Sequence, residues 1–334
     1  MMEMDSEVIV SLRRLGVLDG DDVPPIMALP GGISSDIWRL DLPGGAVCVK
    51  RALPRLRVEK RWEAPVERNT FEWEWMQCVA AFAPDAVPPM IAHDQDARLF
   101  VMAYLDPLDY PLWKDQLRDG VAHPGDAAAV GRLLGTIHSR TANRSDIAEK
   151  FSTDRIFHAM RLEPYLEATA RAHGDLSTVL LGLAERTANT KRVLVHGDIS
   201  PKNIMFGPKG PVFLDAECAW HGDPAFDAAF CLNHLLLKCL WTPGSTDEFL
   251  SCFTSLWDGY RGEIDWEPDE DVAYRVATLL PGLFLARIDG KSPVEYLTDD
   301  RDKNRVRRVA RALLVDPVQR PEEVCDAWRT EVLP

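Results

Sequence analysis

The pattern of apolar and polar positions divides the chain into a β-rich first part and a mainly helical second part. In the first part, four apolar residues between positions 8 and 15 follow helical spacing, and two β-rich runs flank a Pro-Gly-Gly turn at 43–45. The predicted elements are a helix capped by Ser6, a hairpin made of 29–40 and 46–50, a helix over 69–82 and a strand over 98–102. Lys50 then lies at the far end of the hairpin.

Beyond about residue 105, most periodic segments are helical. The predicted helices cover 127–139, 269–288 and a segment from about 299 to before Pro317, and short strands are predicted at 192–195 and 211–214. Pro281 is expected to kink or split the helix that contains it. We therefore predict an α+β chain with two lobes, 1–104 and 105–334.

Composition and charge narrow the classes of protein to consider. The 334 residues are 46% hydrophobic and 27% charged, which is ordinary globular usage and excludes disordered, collagen-like and coiled-coil chains. A net charge of −14 disfavours a nucleic-acid partner, because such affinity depends on clustered Lys and Arg. The seven cysteines form no CxxC pair, the first residues are acidic, and no apolar run reaches membrane-spanning length. We expect a cytoplasmic protein without a disulfide framework, zinc site or membrane contact.

The strongest chemical signal follows the two short strands of the second part. The first strand leads to Asp198, with Asn203 five residues later, and the second leads to Asp215. Phosphoryl transfer needs magnesium between phosphates and one carboxylate that orients the attacking hydroxyl. Oxygen ligands from Asn203 and Asp215 suit magnesium, which leaves Asp198 for the acceptor. Each residue alone could be a turn or cap residue, but the ordered set favours chemistry.

These motifs carry a resemblance to a known family. The pattern H-G-D-x-x-x-x-N begins at His196, and D-x-E follows at Asp215 and Glu217. The chain thereby resembles the small-molecule branch of the protein-kinase-like fold: aminoglycoside phosphotransferases, choline kinases and methylthioribose kinases. The resemblance implies a small β-rich N-lobe, a larger mainly helical C-lobe, and ATP and Mg²⁺ as cofactors. It makes Asp198 the catalytic base and Asn203 and Asp215 metal ligands, with Glu217 reaching a second magnesium directly or through water.

The resemblance also assigns a nucleotide site to the first lobe. Lys50 matches the lysine that contacts the α- and β-phosphates, although by itself it could be an ordinary strand lysine. Its ion-pair partner should be a glutamate of the following helix, and Glu67, Glu72 and Glu74 are available. We expect Glu72, because aromatic neighbours can then pack inward while it faces the sheet.

Two further segments belong to this expected nucleotide site. The phosphate-covering loop corresponds to Gly31, Gly32, Ser34 and Ser35, although it lacks G-x-G-x-x-G and could be a simple hairpin entry. The hinge beside adenine corresponds to the connection that contains Met102 and Tyr104.

The segment after Asp215 bears on the acceptor. Asp227 follows only twelve residues later and no A-P-E motif is present, so a peptide platform has little room. Candidate acceptor contacts are Trp220, Arg287 and Asp289. Asp223 and Asp227 are expected to brace the catalytic loop and cap a helix, and His138 and His196 to have structural roles.

The sequence therefore predicts an ATP-dependent kinase that phosphorylates a hydroxyl of a small metabolite or antibiotic. A non-catalytic nucleotide-binding scaffold and, less favoured, a protein kinase are the alternatives. The acceptor, the choice between ATP and GTP, the oligomeric state and the role of the basic segment 51–68 stay open.

Overall fold

A five-stranded antiparallel sheet forms the first part of the chain in the computed structural model, which describes residues 4–20, 22–30, 32–57, 62 and 64–333. The strands are β1 (Ile26–Ala28), β2 (Ser35–Leu42), β3 (Gly45–Ala52), β4 (Met90–Asp94) and β5 (Leu99–Ala103). Their spatial order is β1-β2-β3-β5-β4. The predicted hairpin is β2 and β3, but the sequence pattern did not indicate β1 or β4, and the run predicted from residue 29 becomes a strand only at Ser35.

The first helix, α1 (Ser6–Arg14), packs on this sheet, and its buried residues Val8 and Leu12 join the sheet's own apolar core. Its cap differs from the prediction. Asp5, not Ser6, accepts the first free backbone N–H, that of Glu7, at 3.2 Å. A carboxylate at this position also favours the positive end of the helix, whereas Ser6 becomes the first helical residue.

The helix α2 (Arg68–Ala80) lies beside the sheet and buries Glu72, Trp75 and Met76. The sheet ends with β5, and the chain continues into helices. These are α3 (Trp113–Arg118), α4 (Pro124–Thr141), α5 (Ser145–Lys150), α6 (Asp154–Phe157), α7 (Ala168–Ala172), α8 (Ser177–Asn189), α9 (Pro224–Trp241), α10 (Thr246–Arg261), α11 (Asp269–Asp289), α12 (Asp300–Val315) and α13 (Pro321–Val332). A π-helical segment, His158–Glu167, joins α6 to α7.

Two short strand pairs position the polar loops of the helical part. β6 (Val193–Val195) pairs with β9 (Trp220–Gly222), and β7 (Ile204–Gly207) pairs with β8 (Gly210–Phe213). The loop 196–203 therefore leaves β6 and enters β7, and the loop 214–219 connects β8 to β9. Both loops meet on one side of the helical core.

Pro281 does not split its helix, although splitting was one of the two outcomes that the sequence predicted. α11 runs from Asp269 to Asp289 without a break, and its second half is almost entirely buried. Packing against α9 and α12 outweighs the one backbone hydrogen bond that proline removes. None of the helices in the described part of the chain is both long enough and apolar enough to cross a membrane.

Candidate active site

The loop after β6 is held in a fixed shape. Gly197 has a left-handed backbone (φ 81°), and a Cβ there would lie 2.7 Å from the Cβ of Cys218, so no larger residue fits. Asp227 accepts hydrogen bonds from the backbone N–H groups of His196 (2.7 Å) and Gly197 (2.8 Å). Asp223 caps α9 by accepting from Ala225 N at 3.0 Å. The bracing roles expected for both aspartates are confirmed.

Asp198 lies in the middle of this loop, and its carboxylate is buried, with three partners on Oδ2. Its Oδ2 accepts from Asn203 Nδ2 at 2.9 Å and lies 3.1 Å from Arg161 Nη2 and 2.9 Å from Lys202 Nζ. Burial acts to raise the pKa of Asp198, but the charges of Arg161 and Lys202 outweigh it and hold the pKa below its usual value. The group is therefore an anion at neutral pH, ready to orient a hydroxyl.

Asn203 and Asp215 are the residues from which we expect metal ligands. Leu214 N–H donates to Asn203 O at 2.9 Å, which brings the end of β8 beside the catalytic loop. Asn203 directs its amide N–H groups to Asp198, which leaves its carbonyl Oδ1 for another partner. Within the described ranges, no three His, Cys, Asp or Glu residues converge on one metal position. One carboxylate and one carboxamide oxygen nevertheless fit magnesium, which keeps several waters.

Glu217 makes an ion pair across the two parts of the molecule. Its Oε2 accepts from Arg68 Nε at 2.9 Å, and the fully buried Arg68 also donates to the carbonyls of Ser34 (2.5 Å) and Leu53 (2.7 Å). Among the residues described, Glu217 Oε1 has no hydrogen-bond donor. Glu217 is thus first a partner of Arg68, and one oxygen remains for metal-bound water.

Lys50 bridges two carboxylates on the side of the sheet. Its Nζ lies 2.7 Å from Glu72 Oε1 and also contacts Asp215 Oδ1. Among the three glutamates considered, Glu72 is the one at this lysine, whereas Glu74 pairs with Lys150 on the surface. Burial acts to lower the pKa of Lys50, but Asp215 and Glu72 reverse that effect and raise it.

The expected phosphate-covering loop is only partly described. Gly31 lies outside the described residues. A Cβ on Gly32 would lie 2.0 Å from Ser35 O, so the turn requires glycine. Ser34 and Ser35 are both buried, and the Ser34 carbonyl faces Arg68, which ties this loop to α2.

The expected hinge follows the edge of β5. Met102 pairs with Cys48 of β3, and Tyr104 N–H donates to Ala46 O at 3.1 Å. The guanidinium group of Arg39 lies over the half-buried ring of Tyr104, 4.4 Å from the ring centre. The Tyr104 N–H is already used, so an adenine base would have to contact carbonyls or the N–H of Leu105.

Two of the three candidate acceptor residues lie elsewhere. Trp220 is 1% exposed, stacks on Phe157 with ring centres 4.1 Å apart, and donates its indole N–H to Asp154 at 3.0 Å. It does not reach the catalytic loop, because β9 turns it into the core. Asp289 is engaged by Arg307 (2.6 Å) and His173 (2.9 Å) at the end of α11, so it is a structural anchor.

Arg287, the third candidate, does lie close to the catalytic loop. It lines a cleft of about 30 Å³ together with residues from α3, the catalytic loop, α9 and the segment after α11. We call this cleft the basic cleft, and its lining residues are Lys114, Pro201, Lys202, His234, Lys238, Arg287, Glu295 and Tyr296.

Sequence reasoning missed three cations of the site. Arg161 comes from the π-helical segment, which has no motif, and Arg68 was grouped with the basic segment 51–68. Lys202 lies inside the catalytic-loop motif, four residues after Asp198, so its contact with that carboxylate could have been anticipated. The basic segment makes its described ion pairs with acids outside itself, for example Arg57 with Asp36.

Comparisons with known proteins agree with this geometry. A family model described as "Phosphotransferase enzyme family" matches residues 25–267. The chain is 25% identical over 279 residues to methylthioribose kinase of Bacillus thuringiensis (strain Al Hakam), which covers 70% of each protein.

Two solved structures establish the protein-kinase-like fold. Choline kinase from Cryptosporidium parvum Iowa II matches with a TM-score of 0.57 at 12% identity, over 96% of this chain and 100% of that one. Aminoglycoside phosphotransferase from Alicyclobacillus acidocaldarius matches with a TM-score of 0.51 at 14% identity, over 99% of this chain and 97% of that one.

Proposed function

Since the chain belongs to the phosphotransferase enzyme family, we propose that it transfers the γ-phosphate of ATP to a hydroxyl group of a small molecule. The observation that carries this proposal is the Asp198 carboxylate, which is buried, ionised and next to Asn203 and Asp215. The connection from Asp215 to α9 contains only the short strand β9, which leaves little surface for a peptide substrate.

Asp198 orients the acceptor hydroxyl and accepts its proton late in the reaction. The hydroxyl oxygen forms a bond to the γ-phosphorus while the bond from that phosphorus to the β–γ bridging oxygen breaks, and ADP leaves. A low pKa suits this role, because a loose transition state needs an oriented hydroxyl more than a strong base. Arg161 and Asn203 hold the carboxylate in place.

Lys50 and Glu72 position the nucleotide in this proposal, and the turn at Gly31, Gly32, Ser34 and Ser35 covers its phosphates. Met102 and Tyr104 flank the adenine. The Asn203 carbonyl oxygen and the Asp215 carboxylate would hold Mg²⁺, and Glu217, through the oxygen that Arg68 leaves free, would assist with a second ion. The metal, when bound, neutralises charge between the phosphates and aligns the γ-phosphate. We also place the protein in the cytoplasm, where ATP and free Mg²⁺ occur together.

The test is a screen of Mg²⁺-dependent ATP consumption with the wild type and Asp198→Asn. The acceptor panel contains amino sugars, thio-sugars, choline-like amines, macrolides, polyols and hydroxy acids. We expect one acceptor class to stimulate ADP formation in the wild type, and the variant to lose about 10²–10⁴-fold in turnover while it keeps its ATP affinity. Equal turnover by both proteins would remove Asp198 from the mechanism. ATP binding without turnover for any acceptor would favour a nucleotide-binding scaffold.

A further inference from the structure

The basic cleft concentrates positive charge in a protein of net charge −14. Its lining contains three lysines and one arginine but only one carboxylate, that of Glu295. Lys202 and Lys114 already have acidic partners, because Lys202 contacts Asp198 and Lys114 Nζ lies 2.5 Å from Glu295 Oε1. Lys238 and Arg287 are the two remaining cations of the cleft.

Lys238 is a buried ammonium group without a carboxylate. It is 1% exposed, and its Nζ lies 3.8 Å from the ring centre of Trp241 and 4.2 Å from that of Tyr296. No carboxylate of the described chain comes within ion-pair distance of it. Aromatic faces attract a cation but do not neutralise it, so the ammonium form of Lys238 has no ionic partner in the described chain.

Arg287, on helix α11, is likewise a buried cation without a carboxylate partner among the described residues. Its Nη1 donates to Ser292 Oγ at 3.0 Å and to Tyr165 Oη at 3.3 Å, and both are neutral groups. Its Nε is buried and has no hydrogen-bond partner, and no described carboxylate pairs with the guanidinium. A guanidinium is a planar donor suited to carboxylate and phosphate groups.

Two more polar atoms in the cleft lack partners. His234 Nε2 and Tyr296 Oη are both buried without a hydrogen bond. Burial, together with the charges of Arg287, Lys238, Lys202 and Lys114, lowers the pKa of His234 well below its ordinary value. All four cations line the cleft together with His234, and three buried polar atoms of the lining, Arg287 Nε, His234 Nε2 and Tyr296 Oη, have no hydrogen-bond partner. Native proteins rarely leave such groups without a ligand or water.

The cleft adjoins the reacting carboxylate. Pro201 and Lys202 form part of its wall, and Lys202 Nζ lies 2.9 Å from Asp198 Oδ2. A molecule that places a hydroxyl at Asp198 can therefore extend past Lys202 towards Lys238 and Arg287. The cleft volume of about 30 Å³ has room for a small polar group.

We propose that the acceptor of this kinase is a small anionic alcohol, whose carboxylate or phosphate group binds between Lys238 and Arg287 while its hydroxyl faces Asp198. This inference rests on the proposed function and names its substrate class. It departs from the amino-bearing acceptors that the net charge alone would favour, because the local charge of the cleft is opposite to that of the whole chain.

The binding test measures thermal unfolding with malonate or inorganic phosphate against chloride at equal ionic strength. Malonate represents a ligand with a carboxylate group, and inorganic phosphate represents a ligand with a phosphate group. The anion that raises Tm more therefore identifies which of the two groups the cleft prefers. We expect either anion to raise the wild-type Tm beyond the chloride control. Lys238→Met and Arg287→Gln should lose that increment, while the surface substitutions Lys209→Met and Arg301→Gln should keep it. Equal increments in all five proteins would overturn the inference.

The kinetic test compares glycerol, glycerate, glycerol 3-phosphate and choline, and extends to further hydroxy acids, sugar phosphates, polyols and amino alcohols. We expect an anionic alcohol to be preferred in kcat/KM by about 10- to 100-fold, the effect of one or two charge-assisted hydrogen bonds. Lys238→Met should raise KM for that acceptor by a similar factor and leave KM for ATP unchanged.

A second pair of variants changes Ser292, whose hydroxyl accepts a hydrogen bond from Arg287. Ser292→Asp offers Arg287 an internal carboxylate and should weaken the anionic acceptor by about 10-fold, whereas the uncharged Ser292→Asn should have a smaller effect. Preferred transfer to polyols or amino alcohols, lost in Asp198→Asn, would overturn the inference and leave the proposed function standing. Turnover that Asp198→Asn does not change would overturn the proposed function, and the binding test would still report on the cleft.

Discussion

Two buried lysines in this molecule have opposite electrostatic surroundings. Lys50 on β3 is 4% exposed and touches the carboxylates of Glu72 and Asp215, whereas Lys238 on α9 is 1% exposed and touches only aromatic rings. Burial acts to lower both pKa values. The carboxylates reverse that effect and raise the pKa of Lys50, but Lys114 and Arg287 add to it and lower the pKa of Lys238 to about 7.

The difference lies in the partners that the fold supplies to each buried ammonium group. Lys50 has two carboxylate partners within the protein. The ammonium form of Lys238 has no counter-ion in the described part of the chain, which costs folding stability. In the proposals above, Lys50 therefore meets its ligand with carboxylate partners already in place, whereas Lys238 meets its ligand without one.

Replacing Lys50 by methionine should have the largest effect. Lys50→Met leaves the buried carboxylates of Glu72 and Asp215 without their cation, and we expect a loss of about 3–5 kcal/mol in the free energy of unfolding. ATP-dependent turnover should fall by about 100-fold or more. Denaturant titration and steady-state kinetics measure the two effects. The exposed ion pair of Lys150 supplies the control, because Lys150→Met should cost less than about 1 kcal/mol. Equal costs for both substitutions would show that Lys50 is not needed to balance the carboxylates.

The same substitution at Lys238 should act in the opposite direction. Without ligand, Lys238→Met should raise the free energy of unfolding by about 1–4 kcal/mol near pH 6.5, because it removes an uncompensated buried charge. The charged groups that act on this lysine are Lys114 and Arg287, which lower its pKa, and Glu295 and Asp115, which raise it.

The stability gained by Lys238→Met should decrease as the pH rises above about 7. Below about pH 7 the lysine is charged in both folded and unfolded chains, so the burial cost is fully present. Between about pH 7 and 10.5 the folded chain gives up the proton while the unfolded chain keeps it, so wild-type stability rises relative to the variant. Urea titrations from pH 6.5 to 9.5 should therefore show the advantage of Lys238→Met shrinking. A constant difference would mean that Lys238 does not titrate in this window.

Trp220→Phe should have the smallest effect and tests where the acceptor lies. The change removes the hydrogen bond to Asp154, and we expect a cost of about 1 kcal/mol with no change in KM for the acceptor. Equilibrium unfolding and a kinetic titration of the acceptor are the measurements. A raised KM for the acceptor would indicate that the acceptor binds near Trp220. It would contradict the proposed role of Lys238 in acceptor binding.

The residues around the catalytic loop could be predicted from the sequence, whereas two strands of the sheet could not. Asp198, Asn203 and Asp215 follow two short strands at close spacing, so their mutual position is a local property that a motif can report. The order of the strand-like and helical patterns along the sequence also predicted that a β-rich part precedes a helical part. The strands β1 and β4 were missed because they are short edge strands, stabilised by pairing with β2 and β5 rather than by their own pattern.

The basic cleft could not be predicted in the same way. Its residues come from α3, the catalytic loop, α9, α11 and the segment after α11, which are far apart in sequence. Lys238 interrupts the apolar run of α9, which is the only local signal. Trp220 was a candidate by sequence proximity to Asp215, but in β9 its ring stacks on Phe157 and its indole N–H donates to Asp154.

Arg68 links three separate segments of the chain, and this linkage has a mechanical consequence. One fully buried guanidinium joins the turn at Ser34, the end of β3 at Leu53 and the segment at Glu217. These three points cannot separate without leaving the buried guanidinium unpaired, so Arg68 restrains their relative motion. Any opening of the proposed nucleotide site should therefore be smallest beside Arg68 and largest at the rim farthest from it.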